Sequence, residues 1–205
     1  MGSNHIPAEA LSNFRFRLKD FLSLEDPEWD LFIQHLKFKG YSKKAHFVVE
    51  GQTCDYLAFI ARGSVRYYHI KDGNDLTTYF SFENEFLSSY KSFLTRQPGF
   101  TYIEALEPTD LILISYQDLQ LMLAHPALAY KMERFGRLMA EYYVCCYEER
   151  VASFLTETPE ERYLKMLQTS KDVMQRIPQH FVANYLGVTP VSLSRIKRRL
   201  LVPAR

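Results

Sequence analysis

The chain has 205 residues, 47% of them hydrophobic and 15% aromatic, with only 8 Gly; this length and apolar content support one large or two smaller packed domains and exclude disordered, collagen-like and low-complexity proteins. The formal net charge of +1 hides an asymmetry, because residues 176–205 carry six Lys or Arg and no acid while the remainder is acidic. A basic end on an acidic body fits a small module that meets a polyanion, or a solvated cationic tail. The three cysteines, Cys54 and the adjacent Cys145 and Cys146, give neither a disulfide framework nor zinc spacing, and with no apolar run of about 18 residues and no export signal they point to a reduced, cytoplasmic protein.

Residues 8–38 read as helical, with Asp26 as a cap, Pro27 at the first helical position and Trp29, Phe32, Ile33 and Leu36 at helical spacing. From Tyr41 the period shortens to strand runs, HFVVE, YLAFIAR, SVRYYHI, LTTYFSF, FTYIEAL and DLILIS, separated by turn signals at Glu50-Gly51, Arg62-Gly63 and Lys71-Asp72-Gly73-Asn74. Strands at this spacing predict a small antiparallel barrel or jelly roll.

After Ser115 the pattern turns helical again, in YQDLQLMLAH and then in a long run past Pro126. Leu128, Met132, Phe135, Met139, Tyr142 and Cys146 step alternately by four and three, a seam for two helices packed along their length or a stripe packed against the helix's own barrel. The seam is the favoured reading, which makes this helix the dimer contact. A further helix opens at Thr158-Pro159-Glu160-Glu161, with a capping Thr, Pro in the first turn and acids beside it.

Residues 179–198, QHFVANYLGVTPVSLSRIKR, carry the most information. Two short helices crossing steeply need a small residue at their contact (Ala183), a turn residue tolerant of positive φ (Gly187) and apolar contacts (Val182, Leu186, Val188, Leu193, Ile196). Thr189 caps the second helix and Pro190 opens it, so Val191, Ser192 and Arg195 face outward as candidates for base contact, Arg195 to a guanine edge and Val191 to a thymine methyl. Gln179, His180, Thr189, Lys197, Arg198 and Arg199 are placed for phosphates.

The order of helix, β-roll, long helix and helix-turn-helix resembles the Crp-Fnr superfamily of regulators, through EGQTCDYLAFIARGSVRYYHIKDGNDLTTYFSFENEF in the roll and ERYLKMLQTSKDVMQRIPQHFVANYLGVTPVSLSRIKRRL at the C-terminus. The latter is similar to the branch common in Bacteroidetes. The resemblance implies an α+β fold in three parts: a cyclic-nucleotide-binding-like sensor (1–125), a dimerisation helix (126–156) and a helix-turn-helix domain (157–205). Only Leu201 to Arg205 follow, so little or no wing is expected. The implied partners are double-stranded DNA and a second copy of the chain, with RNA polymerase admitted as a third.

Members that bind cyclic nucleotides hold the phosphate with a Gly-Glu and an Arg-Ser pair. The matching positions in this chain are Ser88 and Ser89, then Gly99 and Phe100, and Tyr143-Val144 stands where the long helix would meet adenine. Cyclic AMP is therefore not expected. Ser88, Ser89, Lys91, Arg96 and Tyr143 remain as a candidate pocket for another effector of unknown identity, or as a packed remnant. Three scattered cysteines cannot hold an iron-sulfur cluster, and His46, His69 and His180 show no ligand spacing, so no metal or cofactor is expected. Neither a catalytic triad nor a phosphate loop is present, so no enzyme is expected. The alternative function is a ligand-binding module that regulates another protein without reading DNA.

Overall fold

The computed structural model describes residues 5–169 and 175–201. It falls into two compact units, Met1–Tyr67 with Phe80–Tyr143, and Tyr68–Tyr79 with Val144–Arg205.

The first unit opens with α1 (Ala8–Leu18) and α2 (Asp26–Ile33). Glu25, not Asp26, caps α2, its side chain accepting from the N3 backbone while Glu28 reaches back to the Glu25 N–H at 2.7 Å. The helical reading to residue 38 is corrected: α2 stops at Ile33, and Leu36–Tyr41 is strand β1, paired antiparallel with β8 from Leu36 opposite Ile114 to Tyr41 opposite Thr109. Long-range pairing overrides the local apolar spacing that Leu36 shares with α2. The other strands are β2 (His46–Val48), β3 (Tyr56–Arg62), β4 (Val65–Lys71), β5 (Asn74–Ser81), β6 (Phe86–Leu87), β7 (Tyr102–Ala105) and β8 (Thr109–Ser115). They form two four-stranded sheets, ordered β1-β8-β3-β6 and β2-β7-β4-β5, the β-roll expected from the sequence.

Helices α3 (Tyr90–Thr95) and α4 (Tyr116–Ala124) precede the long α5 (Ala129–Thr156). A chain of aromatic contacts runs through the core, Phe14–Phe59 at 5.0 Å, Phe59–Phe86 at 5.4 Å and Phe86–Phe135 at 5.6 Å. Leu128, Met132, Phe135 and Met139 are each 1% exposed within it. The apolar stripe therefore packs against its own unit, and these four residues are corrected from dimer seam to core. Of the remaining two, Tyr142 is partly exposed and meets Phe21 edge-on at 6.2 Å, and Cys146 is half-buried.

The second unit holds the distal half of α5, then α6 (Pro159–Thr169), α7 (Gln179–Tyr185), α8 (Pro190–Leu201) and the tip of the β4–β5 hairpin. Asp72 and Gly73 at that tip both have positive φ, 52° and 76°, the geometry of a two-residue turn whose twist matches its strands. Thr158 caps α6, accepting from Glu161 N–H at 3.2 Å while Glu161 accepts from Thr158 N–H at 2.7 Å. The expectation about a wing falls on residues 202–205, outside the described residues.

Candidate nucleic-acid interface and sensor pocket

α7 and α8 meet as the sequence pattern requires. Val182, Ala183 and Leu186 are 0% exposed, with Leu193 and Ile196 buried against them. Ala183 lets the helices approach, and its carbonyl accepts from Val188 N–H at 2.9 Å. Gly187 turns the chain at φ 73°, a backbone conformation that favours glycine, beside the Phe154 ring.

Thr189 Oγ1 accepts from Ser192 N–H at 3.2 Å and lies 3.0 Å from Ser192 Oγ, which closes the N-terminus of α8. Beyond it, Val191, Ser194, Arg195 and Arg198 are exposed on one helical face, spaced by three and four. Ser194 belongs to this face and was missed from the sequence, although its place three residues after Val191 is the signal that marks it. Ser192 is half-buried and lines, with Thr158, Glu160, Arg195, Ile196 and Arg199, an open groove of about 470 Å³.

The cations divide into tied and untied. Lys197 donates to Gln179 Oε1, and Arg199 pairs with Glu160 at 2.5 Å. Arg195 and Arg198 have no hydrogen-bond or ion-pair partner among the described residues. His180 is exposed with its ring 4.0 Å from that of Phe181. Near the start of α6, hydrogen bonds from the Thr158 backbone and side chain hold the Glu161 carboxyl below the usual carboxylate range, and Ser153 and Lys165 do the same for Glu157.

Three consecutive residues anchor the motif. Asn184 donates to the Asp75 carbonyl at 2.5 Å and accepts from Thr77 N–H. The Tyr185 carbonyl accepts from Arg150 at 2.6 Å, and that of Leu186 from Arg162 at 2.9 Å. Both guanidiniums also lie over the Phe154 ring, at 4.2 and 4.8 Å. The arginines thus satisfy carbonyls that the end of α7 leaves open. Their long-range partners gave no signal in the sequence.

Ser88 and Ser89 are buried side by side in the first unit, and the Ser88 hydroxyl is spent internally. Ser88 donates to the Tyr56 carbonyl at 3.0 Å, and a Cβ on Gly99 would come within 3.0 Å of Ser89 Oγ and 3.2 Å of the Ser92 side chain. Arg96 donates to the Cys54 carbonyl at 2.7 Å, pairs with Asp55 and lies 4.4 Å over the Tyr116 ring. Lys91 is exposed over Phe100, and the Tyr143 ring meets that of Tyr90 at 4.8 Å, tilted by 34°. Of these five residues, Ser88 and Arg96 direct hydrogen bonds to the Tyr56 and Cys54 carbonyls. Arg96, read from the sequence as a pocket cation, is corrected to a brace of the Cys54–Asp55 turn. Among the described residues no group of three or more His, Cys, Asp or Glu could hold a metal, and no helix is long and apolar enough to cross a membrane.

No protein-family model matches the chain. No curated protein matches it either. Among solved structures it is similar to CLP, a c-di-GMP responsive global regulator of Xanthomonas campestris, at 16% identity and a TM-score of 0.66 over 86% of this chain and 93% of that one. FixK2 from Bradyrhizobium japonicum gives 17% and 0.64 over 80% and 84%, and a cyclic nucleotide-binding domain from Methylobacillus flagellatus gives 18% and 0.61 over 72% and 84%. Such neighbours are cyclic-nucleotide-binding-domain proteins and Crp-Fnr-type regulators, and at these identities what the chain shares with them is the fold.

Proposed function

We propose that the chain is a DNA-binding transcription regulator of Crp-Fnr type that reads an inverted-repeat operator as a homodimer. The observation that carries this is the exposed face of α8, where Arg195 and Arg198, without an ion-pair partner among the described residues, lie beside Val191 and Ser194 just beyond an intact Thr189 cap. A recognition helix enters the major groove by its N-terminal half, so Val191, Ser192, Ser194 and Arg195 take the base edges. Gln179, His180, Thr189, Lys197, Arg198 and Arg199 take phosphates, Lys197 and Arg199 by exchanging their present partners. In function the chain divides into a sensor (1–125), a dimerisation helix (126–156) and a reading head (157–205), with a Bacteroidetes-type signature in the last.

The dimer contact moves to the other face of α5. Val144, Tyr147, Val151 and Leu155 are all more than half exposed and spaced by three, four and four. Val144 lies five residues beyond Met139, about 140° around the helix at 3.6 residues per turn, so this face lies nearly opposite the buried one. A second copy of the same helix suits it, because a twofold axis sets the stripe against itself.

Selection of bound sequences from a random duplex pool, followed by a salt series on the winner, tests the reading. An inverted repeat is expected, with half-sites about one helical turn apart and affinity falling steeply with salt. Failure to enrich any sequence would leave a regulatory module acting on another protein.

A further inference from the structure

We propose that Asn184 is a positioning residue that sets the pitch of the recognition helix by clamping α7 onto the β4–β5 hairpin. The proposal rests on the dimeric DNA-reading function above and adds to it the part that fixes the spacing of the operator.

The contact has the form of a strand pairing made by one side chain. Residues i and i+2 of a strand present their backbone groups to the same edge. Asn184 meets two such groups on β5, its Nδ2 donating to Asp75 O at 2.5 Å and its Oδ1 accepting from Thr77 N–H. Thr77 is 5% exposed, so its N–H has little water to fall back on. A carboxamide is the side-chain group that offers one acceptor and two donors at this separation. Asp would set an oxygen against the Asp75 carbonyl, and Ala would leave both backbone groups open.

The surroundings give the clamp leverage. The hairpin is closed by the Asp72-Gly73 turn, and its Tyr68–Tyr79 portion belongs to the same compact unit as α7 and α8. Arg150 and Arg162 hold the next two carbonyls along the chain, at Tyr185 and Leu186. The turn of the helix-turn-helix is thereby fixed at its end by two arginines and on its flank by Asn184. Without Asn184, α7 keeps its buried contacts through Val182, Ala183 and Leu186 but can pivot about the two arginines. α8 packs on α7 through Leu193 and Ile196 and would pivot with it.

A pivot of this kind costs a dimer more than a monomer. Random duplex is held through phosphates and tolerates small changes of angle, whereas an inverted repeat requires two recognition helices at one separation. Losing a preorganised geometry lowers affinity only for the ligand that requires it.

The test uses the full-length chain and the variants Asn184→Ala, Asn184→Asp and, as a milder change, Asn184→Gln. Amide exchange at Thr77 reports the contact, and binding to inverted repeats whose half-sites are moved together or apart in single base-pair steps reports its role. Wild type should prefer one spacing. Asn184→Ala and Asn184→Asp should speed exchange at Thr77 and cut that preference by about tenfold, with random-duplex affinity and the melting of the first unit unchanged. If the alanine variant fails to fold, the glutamine variant, which keeps the amide, decides by the same two readouts. Unchanged Thr77 exchange, or faster exchange with full spacing preference, overturns the proposal. A wild type that binds duplex DNA with no spacing preference overturns it together with the dimeric reading, and a wild type that does not bind DNA removes the proposed function and this inference with it.

Discussion

Replacing Val151 by Glu should dissociate the dimer while leaving each protomer folded. Val151 is 57% exposed in the protomer, so about half of a valine's burial remains to be gained on pairing, roughly 1 kcal/mol per chain and about 2 kcal/mol across the twofold axis. Two carboxylates brought face to face add about 2 kcal/mol of repulsion once screening at a partly wet interface is allowed for. The sum, about 4 kcal/mol, raises the dimer dissociation constant roughly a thousandfold. Sedimentation equilibrium from nanomolar to micromolar chain reads this directly, with circular dichroism as the check that the protomer stays folded. A Val151→Glu protein that remains dimeric across that range would remove the Val144–Leu155 face from the interface and return the question to Tyr142 and Cys146.

Phe135 serves as the counterpart on the opposite face: Phe135→Ala should cost about 3–5 kcal/mol of stability in the first unit, read by chemical denaturation, without weakening dimerisation of the fraction that folds. Arg195→Ala should lose about 1–3 kcal/mol on the selected operator and much less on random duplex, whereas Arg198→Ala should weaken both alike and lower the salt slope by about one. Competition binding at several salt concentrations separates the two, and the reverse pattern would mean that α8 lies in the groove rotated about its own axis, with Arg198 on the bases and Arg195 on the backbone. Glu157 and Glu161 are held below their ordinary range in the fold, so their contribution is complete above the unfolded carboxylate pKa and is lost as pH falls through the lowered values. The second unit should therefore melt earlier in acid, and Glu161→Gln should flatten that dependence. Cyclic AMP should give no calorimetric heat at micromolar chain, since Arg96 is held by Asp55 and the Cys54 carbonyl; a micromolar dissociation constant would show that this brace opens.

The helix-turn-helix was legible because its chemistry is local. A small residue, a positive-φ glycine, a cap and a proline within eight positions leave few other folds for Ala183 to Pro190. The roll was legible for the same reason, through its strand runs and the turns at Gly51, Gly63 and Gly73. α5 was misread in phase, since it carries two apolar stripes and periodicity does not say which one its own barrel covers. The end of α2 was misread because Leu36 continues the helical spacing, while what makes it a strand is Ile114, far along the chain. Asn184 and the two arginines had no local pattern at all. Their partners are backbone carbonyls and an N–H whose identity the side chains of the sequence do not encode.

The two faces of α5 are under unequal constraint. Met132, Phe135 and Met139 are committed to a core within their own chain, where a change in volume disturbs many neighbours at once. Val144, Tyr147, Val151 and Leu155 answer only to whatever lies across from them. A gene duplicated from this one could therefore alter those four positions, acquire a different pairing preference and stop mixing with its parent, while roll and reading head stayed as they were. In the proposed dimer, partner choice would then drift along one stripe of a helix whose other stripe stays fixed.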